Sequence, residues 1–169
     1  MAPSAEPAVR QAGHDDVAAV CRFGEAHIRP HYGPLIGAAA ADAQVRRWWN
    51  EAQIEAAVAE GLLVVADVGE DLVGVGQRGR RGADHVVYKL YADPRHRGRG
   101  LGPRLLAALT RQLPADADRQ YVEHFAANER AGAFYEREGF AVARIEPSPT
   151  GNPALAVVWR VRPLPAKDS

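Results

Sequence analysis

Residues alternate with a two-residue period from Tyr88 to Ala92, with Tyr88, Leu90 and Ala92 set against Lys89 and Tyr91. That is the period of a strand. Asp93-Pro94 closes it, because proline holds the preceding residue extended and cannot donate to a ladder. Beyond the next loop the period changes: Leu101, Leu105, Ala108, Leu109 and Gln112 recur at helical spacing and Pro114 stops the run. Pro103 fits the first turn of such a helix, where a missing N–H costs nothing. Upstream, residues 1–6 read as a disordered lead and Ala8 to Ala12 as a first strand turned by Gly13. Asp15 or Asp16 caps a helix carrying Val17, Val20, Cys21 and Ala26. The proline- and glycine-rich run His27 to Pro34 reads as a loop. Val45, Trp48, Trp49 and Ala52 then follow helical spacing, and Asn50 with Gln53 restarts the helix toward Ile54, Val58 and Gly61.

Leu62 to Val68 and Leu72 to Gln77 read as a hairpin, and Gly79 to Gly82 as the turn into a strand from Asp84 to Ala92. Arg119 to Phe125 is a further strand. Asn128 caps a helix with Ala131, Phe134, Tyr135 and Glu138 on one face, ended by Gly139, onto which Phe140 folds back. Ala141 to Ile145 and Ala154 to Val161 are the last strands, separated by a loop from Pro147 to Pro153. The expected architecture is a single α/β domain of about seven strands and about four helices.

Composition narrows the function only by exclusion. The 169 residues carry 21 Lys plus Arg and 21 Asp plus Glu, a balance that argues against a nucleic-acid partner. One cysteine, Cys21, excludes an internal disulfide and a cysteine zinc site, and no metal is expected. The chain shows no signal-peptide pattern and no apolar run of membrane-spanning length, so a cytoplasmic location without a membrane partner is expected.

The chemistry gathers in the loop. Arg95, Arg97 and Arg99 alternate with polar and glycine positions, and Gly98, Gly100 and Gly102 precede the helix. Glycine lets backbone approach a ligand, and free N–H groups of a first helical turn favour an anion. The order strand, Arg-Gly loop, helix therefore points to a phosphate or pyrophosphate. A dinucleotide fingerprint fails, since the sixth position from Gly98 is Pro103 and from Gly100 is Leu105; no Gly-Lys-Ser/Thr follows for a P-loop. Arg97-Gly98-Arg99-Gly100-Leu101-Gly102, after Asp93-Pro94, resembles the acyl-CoA signature of the GCN5-related N-acetyltransferase (GNAT) superfamily. Asn128, Ala131, Phe134-Tyr135 and Gly139-Phe140 resemble its second block.

The resemblance implies a GNAT-like mixed sheet over 7–163 with a tail at 164–169, and acetyl-CoA as co-substrate. Backbone groups of Leu90, Tyr91 and Ala92 would hold the pantetheine arm as an added strand. The amides of Arg97, Gly98, Arg99, Gly100, Leu101 and Gly102 would hold the pyrophosphate. Asn128 would bond the arm, and Tyr135 would lie near the thioester sulfur as its acid. On the residues alone Asn128 is equally an N-cap and Tyr135 a packed helix residue. Glu123 holds the position of the general base in some members, and His124 beside it is a second base or a substrate contact; strict alternation lets only one of them face the site. His85 and Tyr88 are weaker alternatives for that role.

The acceptor is expected to be an amine of a small molecule. Two alternatives stand beside it: a protein acetyltransferase acting on an N-terminus or a lysine, and a non-catalytic acyl-CoA-binding regulatory module. The resemblance points to His27, Arg29, His31, Tyr32, Trp48 and Trp49 for acceptor binding. Adjacent tryptophans lie about 100° apart on a helix, so they cannot both face the core. One of them lines a pocket, is partly exposed, or makes a homodimer contact.

Overall fold

The computed structural model describes residues 5–166, so most of the expected lead at 1–6 and part of the tail at 164–169 lie outside it. Its seven strands form one mixed sheet in the order β1-β2-β3-β4-β5-β7-β6. They are β1 (Ala8–Gln11), β2 (Leu63–Val68), β3 (Asp71–Arg81), β4 (Asp84–Ala92), β5 (Arg119–Phe125), β6 (Ala141–Glu146) and β7 (Val157–Pro163). Only the β4–β5 pair is parallel. The helical segments are α1 (Val17–Phe23), α2 (Arg29–Ile36), α3 (Ala38–Trp48), α4 (Glu51–Ala59), α5 (Leu101–Arg111) and α6 (Glu129–Arg137).

The alternation of the strands, interrupted by a bulge that leaves Val73 unpaired on β3, divides the core into two layers. Leu63, Val65 and Val75 pack with α1 to α4, whereas Val64, Ala66 and Val73 pack with α5 and α6. A Cβ on Gly74 or Gly76 would come within 3.0 Å of Leu105 or Leu109, so these glycines let α5 lie close on β3. Filling that contact would cost about 1–3 kcal/mol by overpacking.

Three elements differ from the sequence reading. His27 to Pro34 is helical: a π-helical turn at Gly24–Ile28 leads into α2. Ile28, Tyr32 and Ile36 bury one stripe at four-residue spacing, and that packing outweighs the poor propensity of Pro30, Gly33 and Pro34. Next, β3 runs on to Arg81, pairing Arg78–Arg81 with Val87–Asp84, and Gly82 alone takes the left-handed turn conformation. Last, Pro153–Leu155 is a 3₁₀ turn in which Asn152 accepts from the Ala154 N–H at 3.1 Å, so β7 starts at Val157. The helix restart is as expected, with the Asn50 side chain accepting from the Gln53 N–H at 2.9 Å. Among the described residues no helix is long and apolar enough to cross a membrane.

Candidate active site

The parallel pair at the centre of the sheet opens. β4 and β5 are paired only at Val86–Tyr121 and Val87–Val122, after which they part. The Asp93 N–H donates to the Val73 carbonyl at 2.8 Å. By the two-residue period of the ladder, Tyr91 also bonds toward β3, and Leu90 and Ala92 turn their N–H and C=O groups to the open edge. Of the three β4 residues singled out in the sequence, two therefore offer backbone to a ligand lying along that edge.

One cavity, of about 400 Å³, runs from this edge to the loop before α5. Leu90, Ala92, Arg97, Gly98, Gly100 and Gly102 line one side; Asn128, Arg130, Phe134 and Tyr135 line the other. Gly98 and Gly100, at φ +79° and +74°, bend the chain into the N-terminus of α5 in a conformation that side chains resist. The first-turn N–H groups of Leu101 and Gly102 have no intrahelical acceptor. A Cβ on Gly102 would come 3.3 Å from Phe134, so this glycine brings α5 and α6 together. Arg97 and Arg130 add positive charge to the wall; Arg99 is not part of it, and Arg95 turns away to Asp93 at 2.8 Å. The residues fit an extended ligand ending in a pyrophosphate.

A second cavity, of about 570 Å³, lies on the other side of the β4 edge. Tyr32, Gln44, Arg47, Trp48 and Gln53 come from the helices, and Gln77, Tyr88, Lys89, Glu123 and Phe125 from the strands. A β-bulge shapes it: Gln77 pairs with Lys89 and Arg78 with Val87, leaving Tyr88 over. The alternation read from the sequence put Tyr88 with Leu90; the extra residue turns Tyr88 and Lys89 into the same wall instead. The two cavities share Leu90, Tyr91, Asn128, Ala131 and Tyr135.

Tyr135 stands in that common wall. It is stacked near His124 and edge-on to Phe134 and Phe140, and its hydroxyl bonds to no other described residue. Burial pushes its phenol well above the ordinary value of 10.0. The Asn128 Oδ1 accepts from the Ala131 N–H at 3.3 Å, so this residue caps α6 and also lines both cavities. Its Nδ2 lies 3.4 Å from Nε2 of His31, which belongs to the wall of the first cavity. Tyr32 and Tyr91 share a hydrogen bond between hydroxyls beneath the second.

Strict alternation would leave only one of Glu123 and His124 facing the site, but both line the second cavity, and it is their hydrogen bonds that separate them. Glu123 is half-buried in the second cavity; burial raises its carboxyl above the ordinary value of 4.5, Arg81 opposes that and Glu146 adds to it. His124 touches the same cavity, but both ring nitrogens are engaged. Nε2 accepts from Arg160 Nε at 3.0 Å, and Nδ1 donates to the Phe125 carbonyl at 2.9 Å. That pattern describes a neutral ring with no lone pair to spare, and burial lowers its pKa further.

The tryptophans divide in exposure but not in place. Trp49 is 4% exposed, packed on Phe23 and Tyr91, and Trp48 is 44% exposed, yet both line the second cavity. His27 (3.7 Å from Asp93), Arg29 (paired with Glu25 and Asp42) and His85 line neither cavity. Sequence reasoning passed over Lys89, Gln77 and Arg47. The available signal was a lysine in the middle of a strand at the centre of the sheet. Among the described residues, no group of three or more His, Cys, Asp or Glu is arranged to hold a metal.

Comparison with known proteins agrees with this fold. The family model of the acetyltransferase (GNAT) domain matches residues 59–142, from the end of α4 into β6. The chain belongs to that family. Its fold is similar to that of PaiA N-acetyltransferase from Thermoplasma acidophilum in complex with coenzyme A, at TM-score 0.77 and 12% identity over 95% of this chain and 100% of that one. A GCN5-related N-acetyltransferase structure from Rhodopseudomonas palustris gives TM-score 0.77 and 22% identity over 97% and 99%. An acetyltransferase from Thermus thermophilus gives 0.66 and 23% over 95% and 99%. Among curated proteins none matches the sequence.

Proposed function

We propose that the protein is a cytoplasmic N-acetyltransferase that moves acetyl from acetyl-CoA to the amine of a small molecule by direct attack. The observation that carries this reading is the free hydroxyl of Tyr135 in the wall common to both cavities. The loop and first turn of α5 bind the pyrophosphate, and the open backbone of Leu90 and Ala92 binds the pantetheine arm. An N–H of that segment is a fixed donor for the oxygen that becomes negative as the amine adds to the thioester.

The amine must be neutral to attack, and an alkyl ammonium has a pKa near ~10. Glu123 takes its proton, directly or through one water; a carboxylate whose proton affinity is raised by burial is a stronger base than a solvated one. Tyr135, held protonated by burial, donates a hydrogen bond to the departing thiolate, whose own pKa resembles the roughly 8.5 of cysteine. Cys21 lines neither cavity and burial raises its thiol, which supports transfer without an acyl-enzyme.

The test is release of coenzyme A on a panel of amines, with initial velocities measured against both substrates. Intersecting lines are expected, and Tyr135→Phe should lower kcat about ten- to a hundredfold while acetyl-CoA binding persists. Parallel lines, or an acetylated Cys21, would overturn direct attack.

A further inference from the structure

Lys89 is 8% exposed in the middle of β4. Its ammonium donates to Gln77 Oε1 at 2.8 Å and lies 5.3 Å over the Trp49 ring. No carboxylate of a described residue pairs with it. Glu123 responds to Arg81 and Glu146 rather than to Lys89. A buried charge without a counterion is costly, and folds keep such groups out of the interior unless they are paired. This one stands in the wall of the acceptor cavity with a donor to spare, since an ammonium has three.

We propose that Lys89 binds a carboxylate on the acceptor, so that the substrates are amino-carboxylic acids of amino-acid size with apolar or aromatic bodies. The proposal rests on the acetyl-transfer reading and narrows its substrate class. The charge pattern of the cavity is that of a zwitterion turned inside out. Glu123 serves the amine end, and Lys89 serves the carboxylate end. Arg47, which enters no ion pair among the described residues, adds a second cation to the same wall. Gln77 supplies an amide beside the Lys89 ammonium. Trp48, Tyr88 and Phe125 give the body of the ligand apolar surface. A volume of about 570 Å³ suits a molecule of that size. A single buried ammonium matches a monoanion, and the same two cations repel a polyamine.

The experiment compares matched pairs that differ only in the carboxylate: phenylalanine against phenethylamine, and leucine against isoamylamine. Coenzyme A release is followed in wild type and Lys89→Met, with acetyl-CoA-induced thermal stabilisation recorded for both proteins. The expected result is at least a tenfold higher kcat/KM for each acid in wild type, with the preference lost in Lys89→Met while acetyl-CoA still stabilises the variant. Equal or faster turnover of the decarboxylated amines by wild type overturns the proposal without touching acetyl transfer, and needs no variant to fold. A wild type that acetylates none of the four yet turns over other amines of the panel also overturns the proposal and leaves acetyl transfer standing, whereas acetyl-CoA binding with no turnover of any amine in the panel defeats the transfer reading instead. Calorimetric titration of phenylalanine into the acetyl-CoA complex then decides the role of Lys89 separately. Binding abolished by Lys89→Met upholds it, and absence of binding to wild type, or binding that survives in the variant, overturns it.

Discussion

The two cavities share a wall and are made of different material. The one at the α5 N-terminus is built of backbone: two left-handed glycines, a first helical turn and an open strand edge. The other is built of side chains from the helices and strands, with its charges on Lys89, Arg47 and Glu123. Backbone sites tolerate little change, because a Cβ at φ +74° is strained whatever its chemistry. A side-chain site can be rewritten one residue at a time over an unaltered scaffold. On the proposed function, the difference matches a shared co-substrate in the first cavity and an individual acceptor in the second.

The comparison breaks hardest at Gly100. Gly100→Glu adds backbone strain and a negative charge at a helix N-terminus, and should lower kcat/KM for acetyl-CoA by about 10²–10³-fold. Steady-state kinetics with acetyl-CoA as the varied substrate checks this; a loss confined to the acceptor KM would contradict the division.

Glu123→Gln should lower the rate about 10²-fold near neutrality. Since the base acts when deprotonated and burial raises its pKa, activity should climb with pH through a limb lying above the ordinary 4.5. That limb should disappear in the variant, which a pH–rate profile reads directly.

A smaller effect sharpens the contrast, because it concerns stability rather than rate. Burial lowers the Lys89 ammonium to about 8 from an ordinary 10.5. Between those values the unfolded chain holds the proton that the native state has lost, so this residue makes stability rise with pH across that window. Below it the full penalty applies. Lys89→Met should therefore be more stable by about 2 kcal/mol at neutral pH and lack that rise, as denaturant unfolding at a series of pH values would show. A variant less stable than wild type would make Lys89 a structural lysine.

Legibility in the sequence follows the same division. Backbone chemistry is written locally: Gly98, Gly100 and the caps at Asn50 and Asn128 act within a few residues of themselves, and α5 and α6 were readable from them. The second cavity depends on long-range facts. The bulge at Tyr88 reverses which face its side chain meets and is set by pairing with β3, not by local pattern. The helix through His27 to Pro34 forms because Ile28, Tyr32 and Ile36 are buried by distant strands. The sequence offers His124 as a second base or a substrate contact; its Nε2 is occupied by Arg160, from a strand much later in the chain.

The most direct test of the account is thermal unfolding of the wild-type protein with acetyl-CoA, coenzyme A or NADH added in parallel. A ligand that binds only the native state at a hundredfold excess over Kd stabilises it by about 2.7 kcal/mol. Acetyl-CoA and coenzyme A should raise Tm, NADH should not, and Gly100→Glu should erase the shift. Stabilisation by NADH, or none by acetyl-CoA, would contradict the assignment of the cavity at the glycine loop.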